Sequence, residues 1–318
     1  MTTETNIFEA PNAVFVVGPT ASGKSEFAFR FAKRHNGEVI SADSMQIYRG
    51  LDIGTAKESV ERRSEVRHHM IDILDAGDSY SVAEFAEAAS MCAKDILSRG
   101  KIPVIAGGTG LYFESLFYPM SFANTAKNPV LRAELEAECN QKGAEFMHAR
   151  LASVDPESAA RLHVNDVKRV IRALEVVLTT GKTVGEHSDG EKSEPDVIAV
   201  GFNRADRHRL YAAIDRRVEE MISAGLVDEV GRVGRFDCQS MQAIGYKEFS
   251  DCVFSMRNGK FTVDGESLRD VAEKIKKDTR NYAKRQITWF KRYPFVRWFE
   301  SGDYTSAEEY VLSRMRQY

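Results

Sequence analysis

The sequence lacks a long apolar run. A helix needs about 20 consecutive apolar residues to cross a membrane, and no stretch of this 318-residue chain approaches that length. Residues 1–12 are polar and acidic and do not follow the basic-then-apolar order of a secretory signal. We therefore expect a cytoplasmic protein with no membrane partner.

Cysteine is also scarce. The four cysteines, Cys92, Cys139, Cys238 and Cys252, are far apart and show no C-x-x-C spacing. Structural zinc sites and disulfide frameworks use closely spaced or numerous cysteines. The sequence predicts neither kind of site, and we expect reduced thiols.

Net charge is small, at −3, but it is unevenly distributed. Between Ser267 and Arg292, nine basic residues accompany three acidic ones, a local charge of +6 that leaves about −9 for the rest of the chain. An acidic protein with one basic helix has the charge distribution of a partner for a phosphate backbone. An ordinary solvated helix face is the alternative interpretation of the same residues.

A glycine-framed loop follows the apolar run Val14–Val17. It contains every fixed position of the G-x-x-x-x-G-K-[ST] pattern, in the residues Gly18, Pro19, Thr20, Ala21, Ser22, Gly23, Lys24 and Ser25. The backbone N–H groups of such a loop, and the N-terminus of the helix that follows, surround phosphate oxygens. Lys24 adds a positive charge, and Ser25 adds a hydroxyl ligand for Mg²⁺. The pattern predicts a polyphosphate site without saying which polyphosphate it binds.

Strand and helix signals alternate through the first third of the chain. The expected strands are residues 14–17, 38–42, 69–73 and 102–106. A capping box at Ser81 and Glu84 begins a helix that ends at Gly100. From 124 to 195 the signals are helical only, with helices at 129–142 and 166–178.

Strand character returns at 197–202, followed by a helix at 206–224 that Gly225 ends, the long basic helix and a last strand at 296–299. This order predicts an α/β fold, a P-loop-containing parallel sheet with helices on both faces, plus an inserted all-helical subdomain. We expect the core to span 1–123 and 196–318 and the insertion to span 124–195.

Polar residues follow two of the expected strands. Asp43 comes directly after the second strand, and Thr109 comes soon after the fourth. Ligands bind at the carboxyl ends of parallel strands, so both residues should lie beside the phosphate loop. Many proteins with this loop hold Mg²⁺ with an acid at another strand end, and the fourth strand here has none. Three roles stay open for Asp43: metal ligand, general base, or cap of a following helix.

Seven different short motifs are distributed along the chain: Gly18–Ser25, Ser41–Tyr48, Asp52–Lys57, Gly107–Tyr112, Asn165–Arg169, Ala243–Glu248 and Tyr282–Phe290. Together and in this order they resemble the tRNA isopentenyltransferase family, also called tRNA dimethylallyltransferases. The resemblance extends from Val14 to about Phe299 and is far more specific than the phosphate loop alone.

The resemblance implies a prenyl transfer. The family moves a dimethylallyl group from dimethylallyl diphosphate to N6 of the adenine 3′-adjacent to the anticodon (position 37) and releases diphosphate. The phosphate loop, with Mg²⁺ on Ser25, would hold the diphosphate. By similarity, Asp43 accepts the N6 proton or orients the amine, Thr109 helps to place donor or base, and Arg217 faces the diphosphate. Residue type alone would make Arg217 a solvated surface residue.

A stacked anticodon-loop base must be flipped outward to reach such a site. The resemblance therefore implies contacts with the tRNA anticodon stem-loop from several parts of the chain. These residues are Asp43, Ser44, Met45 and Gln46, then Asn165, Asp166, Lys168 and Arg169 on the insertion, then Gly245, Tyr246 and Lys247, and finally Arg280, Lys284, Arg285 and Gln286 on the basic helix. On residue type alone, an aromatic such as Tyr246 is more often part of the core.

Two other functions stay open on the sequence. In a small-molecule kinase, the insertion would be a lid and Arg161, Arg169 and Arg172 would close on ATP. A non-enzymatic RNA-binding protein would bind tRNA and modify nothing. Binding of ATP distinguishes the first function, and analysis of modified tRNA nucleosides distinguishes the second. We expect a monomer.

Overall fold

A six-stranded parallel sheet forms the centre of the computed structural model, which describes residues 7–118, 128–186 and 194–317. The strand order is β3-β2-β4-β1-β5-β8, and every neighbouring pair is parallel. A separate antiparallel hairpin pairs β6 with β7. The strands are β1 Val14–Val17, β2 Gly37–Ala42, β3 His68–His69, β4 Ile102–Gly107, β5 Ile198–Asn203, β6 Ser255–Arg257, β7 Lys260–Thr262 and β8 Val296–Glu300.

The helices lie between these strands and after the last of them. They are α1 Lys24–Arg34, α2 Val60–Glu65, α3 Val82–Ser98, α4 Gly110–Phe117, α5 Pro129–Lys142, α6 Ala144–Val154, α7 Pro156–Arg161, α8 Val167–Thr180, α9 Arg207–Ala224, α10 Leu226–Val233, α11 Gly265–Phe290 and α12 Tyr304–Met315. In the part of the chain that the structure describes, no helix is both long and apolar enough to cross a membrane.

Both faces of the sheet are covered, as alternation along β1 shows. Val14 and Val16 share a buried cluster with residues of α1 and α12. Phe15 points the other way, and its ring lies 4.9 Å from that of Phe117 on α4. Successive side chains of a strand face opposite sides, so a central strand needs an apolar residue at every position. The α/β class and the parallel sheet expected from the sequence are confirmed.

The chain divides into two compact units. One unit comprises Met1–Phe117 and Glu194–Tyr318, and the other comprises Tyr118–Ser193. The sequence placed these limits at 124 and 195, where part of the intervening chain lies outside the described residues. Within the second unit, α5 to α8 enclose a core that includes Leu135, Met147, Leu151 and Leu174.

Several elements differ from the sequence expectation. The expected strand at 69–73 was wrong beyond His69, because Met70 and Asp72 have positive φ values of 62° and 57° that end the extended chain. Helices α2, α4, α6, α7, α10 and α12 and the hairpin of β6 and β7 were not expected. Asp155 explains one of them, since it ends α6 and its side chain accepts the Ser158 N–H to begin α7.

Candidate active site

The phosphate loop joins β1 to α1 in a conformation that requires glycine. Gly18 has φ 147° and Gly23 has φ 85°, in the region that L side chains rarely adopt. A Cβ on Gly18 would lie 2.4 Å from the carbonyl oxygen of Phe202. Gly23 is the N-cap of α1 and offers no side-chain cap. The first N–H groups of the helix are therefore not satisfied by a capping side chain, as an anion site requires.

Lys24 begins α1 and lines a cavity beside this loop. Its Nζ donates a hydrogen bond to the carbonyl oxygen of Pro19 at 3.1 Å. Burial, and secondarily the charge of Arg217, lower the pKa of Lys24 to about 8, while the charge of Asp43 opposes the shift. Lys24 therefore lies in a place where a further negative charge would stabilise its charged form.

Arg217 comes from α9 and lines the same cavity. Burial lowers its pKa, and the negative charges of Asp43, Glu220 and Glu58 oppose that effect. The sequence alone favoured a surface position for an arginine on a polar helix. The structure instead brings it close to Lys24 and Asp43, as the family resemblance implied.

Asp43 and Thr109 follow neighbouring strands, because Ala42 of β2 is paired with Gly107 of β4. The Met45 N–H donates to Oδ1 of Asp43 at 2.9 Å, and the Ser44 N–H donates to Oγ1 of Thr109 at 3.1 Å. The segment after Asp43 is a turn and not a helix, so Asp43 caps no helix there. These bonds hold the carboxylate of Asp43 at the edge of the cavity.

The cavity has a volume of about 490 Å³. Its walls come from the phosphate loop, the turn after β2, the 54–56 loop, α9, the segment 242–247 and α11. The residues predicted for binding or catalysis that line it are Thr20, Lys24, Ser25, Asp43, Ser44, Met45, Gln46, Arg217, Gly245, Lys247, Arg285 and Gln286. The structure thus brings two predicted groups of binding residues, those of the phosphate loop and those of the nucleobase end, to one space.

Glu229 fixes one wall of the cavity. Its carboxylate accepts the N–H groups of Asp52, Ile53 and Gly54 at 2.8 to 3.0 Å and the hydroxyl of Tyr246 at 2.7 Å. A Cβ on Gly54 would lie 2.5 Å from the Tyr246 ring, so only glycine fits there. The Asp52–Lys57 motif was visible in the sequence, but its carboxylate partner, which lies far away in the chain, was not.

Tyr246 was predicted to contact tRNA, and the structure places its side chain in the interior of the protein. The residue is fully buried within a core cluster, and its hydroxyl is bonded to Glu229. A phenol ring used as packing cannot stack on a base. Its neighbours Gly245 and Lys247 do line the cavity, and Lys247 forms an ion pair with Asp278 at 2.9 Å.

Gln286 was also predicted to grip the tRNA, and the structure places it in the interior, at the cavity wall. Only 5% of the residue is exposed. Its Oε1 accepts the Thr20 N–H at 3.0 Å, and its Nε2 donates to the Gly108 carbonyl oxygen at 2.9 Å. It lies on the inner face of α11, which a count of charges along the helix does not reveal.

The amide of Gln46 is held in place at the nucleobase end. Ser41 Oγ donates to its Oε1 at 2.8 Å, and its Nε2 donates to the Thr55 carbonyl oxygen at 3.2 Å. Its Nε2 also donates to the Ala56 carbonyl oxygen at 3.4 Å, so both N–H donors are used and only Oε1 keeps a lone pair for a further bond. Gln46 therefore stays available as a reader of a base edge.

The outer face of α11 carries the basic residues. Lys277, Lys284 and Arg285 are exposed. Arg280 is half-buried and forms an ion pair with Asp215 at 2.6 Å. The ring of Tyr211 lies between two of these cations, 5.9 Å from the Arg280 guanidinium and 5.8 Å from the Lys284 ammonium. This set, Lys277, Arg280, Lys284 and Arg285, is called the basic stripe below.

The predicted tRNA residues of the insertion lie at the start of α8. Asn165, Lys168 and Arg169 are exposed, and Asp166 is the N-cap. Arg169 lies 3.3 Å from Asp166 across one helical turn. Within the second unit these side chains are therefore accessible for binding.

Tyr282 is a cavity residue that sequence reasoning missed as an individual site residue. Burial and the negative charge of Asp43 raise its pKa to about 12, so the phenol is neutral. Thr109 and Gln286 interact with its hydroxyl and oppose the rise. In the sequence, Tyr282 could have been noticed as an uncharged polar aromatic residue among the basic residues of α11. Its position marks the inner face of that helix.

Comparison with known proteins decides the family. A family model described as IPP transferase matches residues 46–293, most of the chain, and one described as isopentenyl transferase matches residues 11–77. This chain belongs to the IPP transferase family. The resemblance found in the sequence motifs is confirmed.

Relatives of this IPP transferase match along nearly their whole length. The tRNA dimethylallyltransferase of Caldanaerobacter subterraneus subsp. tengcongensis is 46% identical over 304 residues, covering 93% of this chain and 94% of the relative. That of Bacillus subtilis is 44% identical over 292 residues, covering 90% of each.

Solved structures agree with this. The tRNA isopentenylpyrophosphate transferase from Bacillus halodurans matches with a TM-score of 0.69 at 38% identity, over 96% of this chain and 97% of that one. A eukaryotic dimethylallyltransferase acting on tRNA matches with a TM-score of 0.76 at 26% identity, over 95% of this chain and 77% of that one.

Proposed function

We propose that this IPP transferase moves a dimethylallyl group from dimethylallyl diphosphate to N6 of the adenine immediately 3′ of the anticodon in tRNA. One observation carries the proposal: Lys24, Ser25 and Arg217 line the same cavity of about 490 Å³ as Asp43. A leaving diphosphate and an acceptor amine can therefore meet in one space. Two comparisons support the choice of acceptor. The relatives are named tRNA dimethylallyltransferases, and one structural neighbour is a dimethylallyltransferase described as acting on tRNA.

The diphosphate end follows from charge. Lys24 and Arg217 are two cations whose pKa values are lowered by burial. A diphosphate placed between them and the loop amides removes that penalty for both. In the reaction the bond between the allylic carbon and the diphosphate oxygen breaks, and charge grows on that oxygen. Cations and N–H groups already in place stabilise this charge without reorganising.

The acceptor end needs a base and alignment. The adenine amine is a weak nucleophile because its lone pair is delocalised into the ring, so its proton must leave as the new N–C bond forms. Asp43 has a carboxylate anchored through Oδ1 to the Met45 N–H and is the group that accepts this proton. Thr109 holds the neighbouring Ser44 amide and thereby the turn that carries Asp43.

Magnesium fits the phosphate end of the cavity. Ser25 is exposed in the first turn of α1 and lines the cavity. A hydroxyl together with diphosphate oxygens and water is an oxygen-only ligand set, which Mg²⁺ prefers. In the described ranges no three His, Cys, Asp or Glu side chains come together, so substrate oxygens would complete the set. Ser25 would hold the ion there, and its charge would offset the charge on the leaving diphosphate.

The tRNA end follows from the basic stripe and the cavity together. Phosphates of a stem-loop bind exposed cations such as Lys284 and Arg285, and the target base leaves its stack to enter the cavity. The turn Ser44–Gln46 lines the cavity next to Asp43, where an inserted purine would lie.

Incubation of the purified protein with tRNA, dimethylallyl diphosphate and Mg²⁺ tests this proposal. We expect one adenosine per acceptor tRNA to gain a single dimethylallyl group, detected by mass spectrometry of the digested nucleosides, with one diphosphate released. A parallel reaction with ATP in place of the prenyl donor is the control for a kinase. Phosphate transfer from ATP, or tRNA binding without any modified nucleoside, would refute the proposal.

A further inference from the structure

Gln286 is a buried polar residue that joins two predicted parts of the site. It lies on α11 and receives one bond from the phosphate loop, the Thr20 N–H to its Oε1 at 3.0 Å. It gives another to the end of β4, from its Nε2 to the Gly108 carbonyl oxygen at 2.9 Å. An N–H can only donate and a carbonyl oxygen can only accept, so the two partners fix which way the amide points.

The close approach to β4 depends on glycine. A Cβ at Gly108 would lie 2.1 Å from Nε2 of Gln286. The chain therefore has no side chain at the one place where an amide from α11 reaches the strand end. Tyr282, one turn earlier on α11, lines the cavity on the same side, near Asp43. One face of α11 thus contacts both ends of the reaction site.

The Thr20 amide has a consequence for phosphate binding. Because its N–H is taken by Gln286, it orients the loop and is not free to bind a phosphate oxygen. The Gln286 side chain also sets the separation between the phosphate loop and Gly108, the residue before Thr109. Errors of about 1 Å in such a separation cost large factors in rate, since reacting atoms must be aligned.

We propose that Gln286 is a positioning residue for prenyl transfer, which fixes the phosphate loop relative to the strand ends that carry Thr109 and Asp43. This inference rests on the proposed function. A residue that only fills space in the core would have no need of the two bonds, and the difference can be tested by changing the bonds while keeping the shape.

Two substitutions of similar size separate these roles. Gln286→Met removes both hydrogen bonds at every pH. Gln286→Glu keeps an acceptor for the Thr20 N–H, but when ionised it presents an anionic oxygen to the Gly108 carbonyl oxygen. When protonated, the acid regains a donor toward Gly108 and restores the bonds to Thr20 and Gly108. Burial favours the protonated form, so the change falls in an accessible pH range.

The measurements are single-turnover transfer rates at pH 6 and pH 8.5, each divided by the wild-type rate at that pH. We expect Gln286→Met to be slowed about 10- to 100-fold at both values. Gln286→Glu should be slowed at least as much at pH 8.5 and should recover to within about threefold of wild type at pH 6. Affinity for tRNA should stay within about twofold for both, because Gln286 faces inward. Gln239→Glu, at an exposed position, is the matched control.

Calorimetry with inorganic diphosphate keeps the inference separate from the proposed function, because it requires no transfer. Both variants should bind diphosphate about tenfold or more weakly at pH 8.5, with melting temperatures that remain above the assay temperature. Equal deficits of Gln286→Glu at the two pH values, or wild-type rates and diphosphate affinity in Gln286→Met, would overturn the inference. A wild-type protein that binds diphosphate but prenylates no tRNA would instead refute the proposed function.

Discussion

Three charged side chains, Lys24, Arg217 and Asp43, determine the electrostatics of the cavity. Lys24 and Asp43 were predictable because each belongs to a short motif whose function depends on local geometry. Residue type alone placed Arg217 on the surface, and only the family motif assigned it to the site. The sequence did not show that Tyr246 and Gln286 are buried, because burial depends on partners far away in the chain, Glu229 and the phosphate loop.

Asp43→Asn tests the base. The substitution keeps size and hydrogen bonding and removes the proton acceptor, so we expect turnover to fall by about 10²- to 10⁴-fold while tRNA affinity is unchanged. Single-turnover kinetics and a tRNA binding assay measure the two quantities. Asp75→Asn, at an exposed carboxylate, serves as the control. Turnover within a few-fold of wild type would make Asp43 a spectator.

Lys24 makes donor binding depend on pH. Its pKa is about 8 in the free protein, and a bound diphosphate stabilises the charged form, which raises that pKa. Below pH 8 the ammonium is already present, whereas above it binding must take up a proton. We therefore expect the donor Kd to be flat below pH 7.5 and to rise about tenfold between pH 7 and pH 9.

Lys24→Arg is the control for this titration, since a guanidinium keeps its charge throughout that range. Its donor Kd, measured by calorimetry, should show no such rise whatever its absolute value. The same tenfold rise in Lys24→Arg would assign the pH dependence to another group.

At the scale of elements, the strands were the most predictable part of the fold, because apolar runs bounded by glycine or polar residues mark buried parallel strands. β1, β2, β4, β5 and β8 lie where the sequence placed them, to within a residue or two. The hairpin of β6 and β7 and helix α12 were missed, since short exposed strands and a helix after a loop carry weak periodic signals. For the basic stripe, the sequence supplied the charges but not their ion pairs.

The stripe can be tested through salt dependence. Each phosphate that is neutralised steepens the fall of log affinity with log salt by roughly 0.7 to 0.9. Lys284→Ala should flatten the slope for tRNA by about one unit. Arg280→Ala should change it less, because Arg280 is already neutralised by Asp215. Donor affinity should not change, and Lys94→Ala on α3 is the control. Unchanged slopes in both variants would make the stripe an ordinary solvated face.

Glu38 links β2 to the end of α3. Substituting it tests how much this link contributes to the stability of the protein. It is 2% exposed and accepts hydrogen bonds from Arg99 and Lys101, with His69 at 2.7 Å. These partners lower its pKa, chiefly Arg99. A lowered pKa gives stability that is present above the unfolded pKa, near 4.5, and lost as the pH falls. Glu38→Gln should therefore lower the free energy of unfolding by about 2 kcal/mol at pH 7.

Denaturant unfolding at several pH values checks this prediction. The difference between wild type and Glu38→Gln should be present at pH 7 and should shrink below pH 4.5 as the carboxylate protonates. Glu87→Gln, at an exposed position of α3, is the matched control. A difference independent of pH down to pH 3 would show that the charge of Glu38 contributes nothing.

At the scale of the whole molecule, the family, the sheet and the residues that line the cavity agree with one another. Motifs far apart in the chain, at Gly18–Ser25, Ser41–Tyr48 and Tyr282–Phe290, meet around one space because parallel strands end at one edge and α11 lies along it. The sequence predicted the members of this site but not its inner and outer faces. We propose that this space receives both the prenyl diphosphate and one exocyclic amine of tRNA.

The most direct measurement uses two anticodon stem-loops that differ in a single atom group. One carries adenine 3′ of the anticodon, and the other carries purine, which lacks the exocyclic amine. Both should bind with affinities within a few-fold of each other, because the stem-loop phosphates are unchanged. With dimethylallyl diphosphate, only the adenine stem-loop should gain a dimethylallyl group at that position and release diphosphate in equal amount. Prenylation of the purine stem-loop, or of another position in the adenine one, would contradict the account.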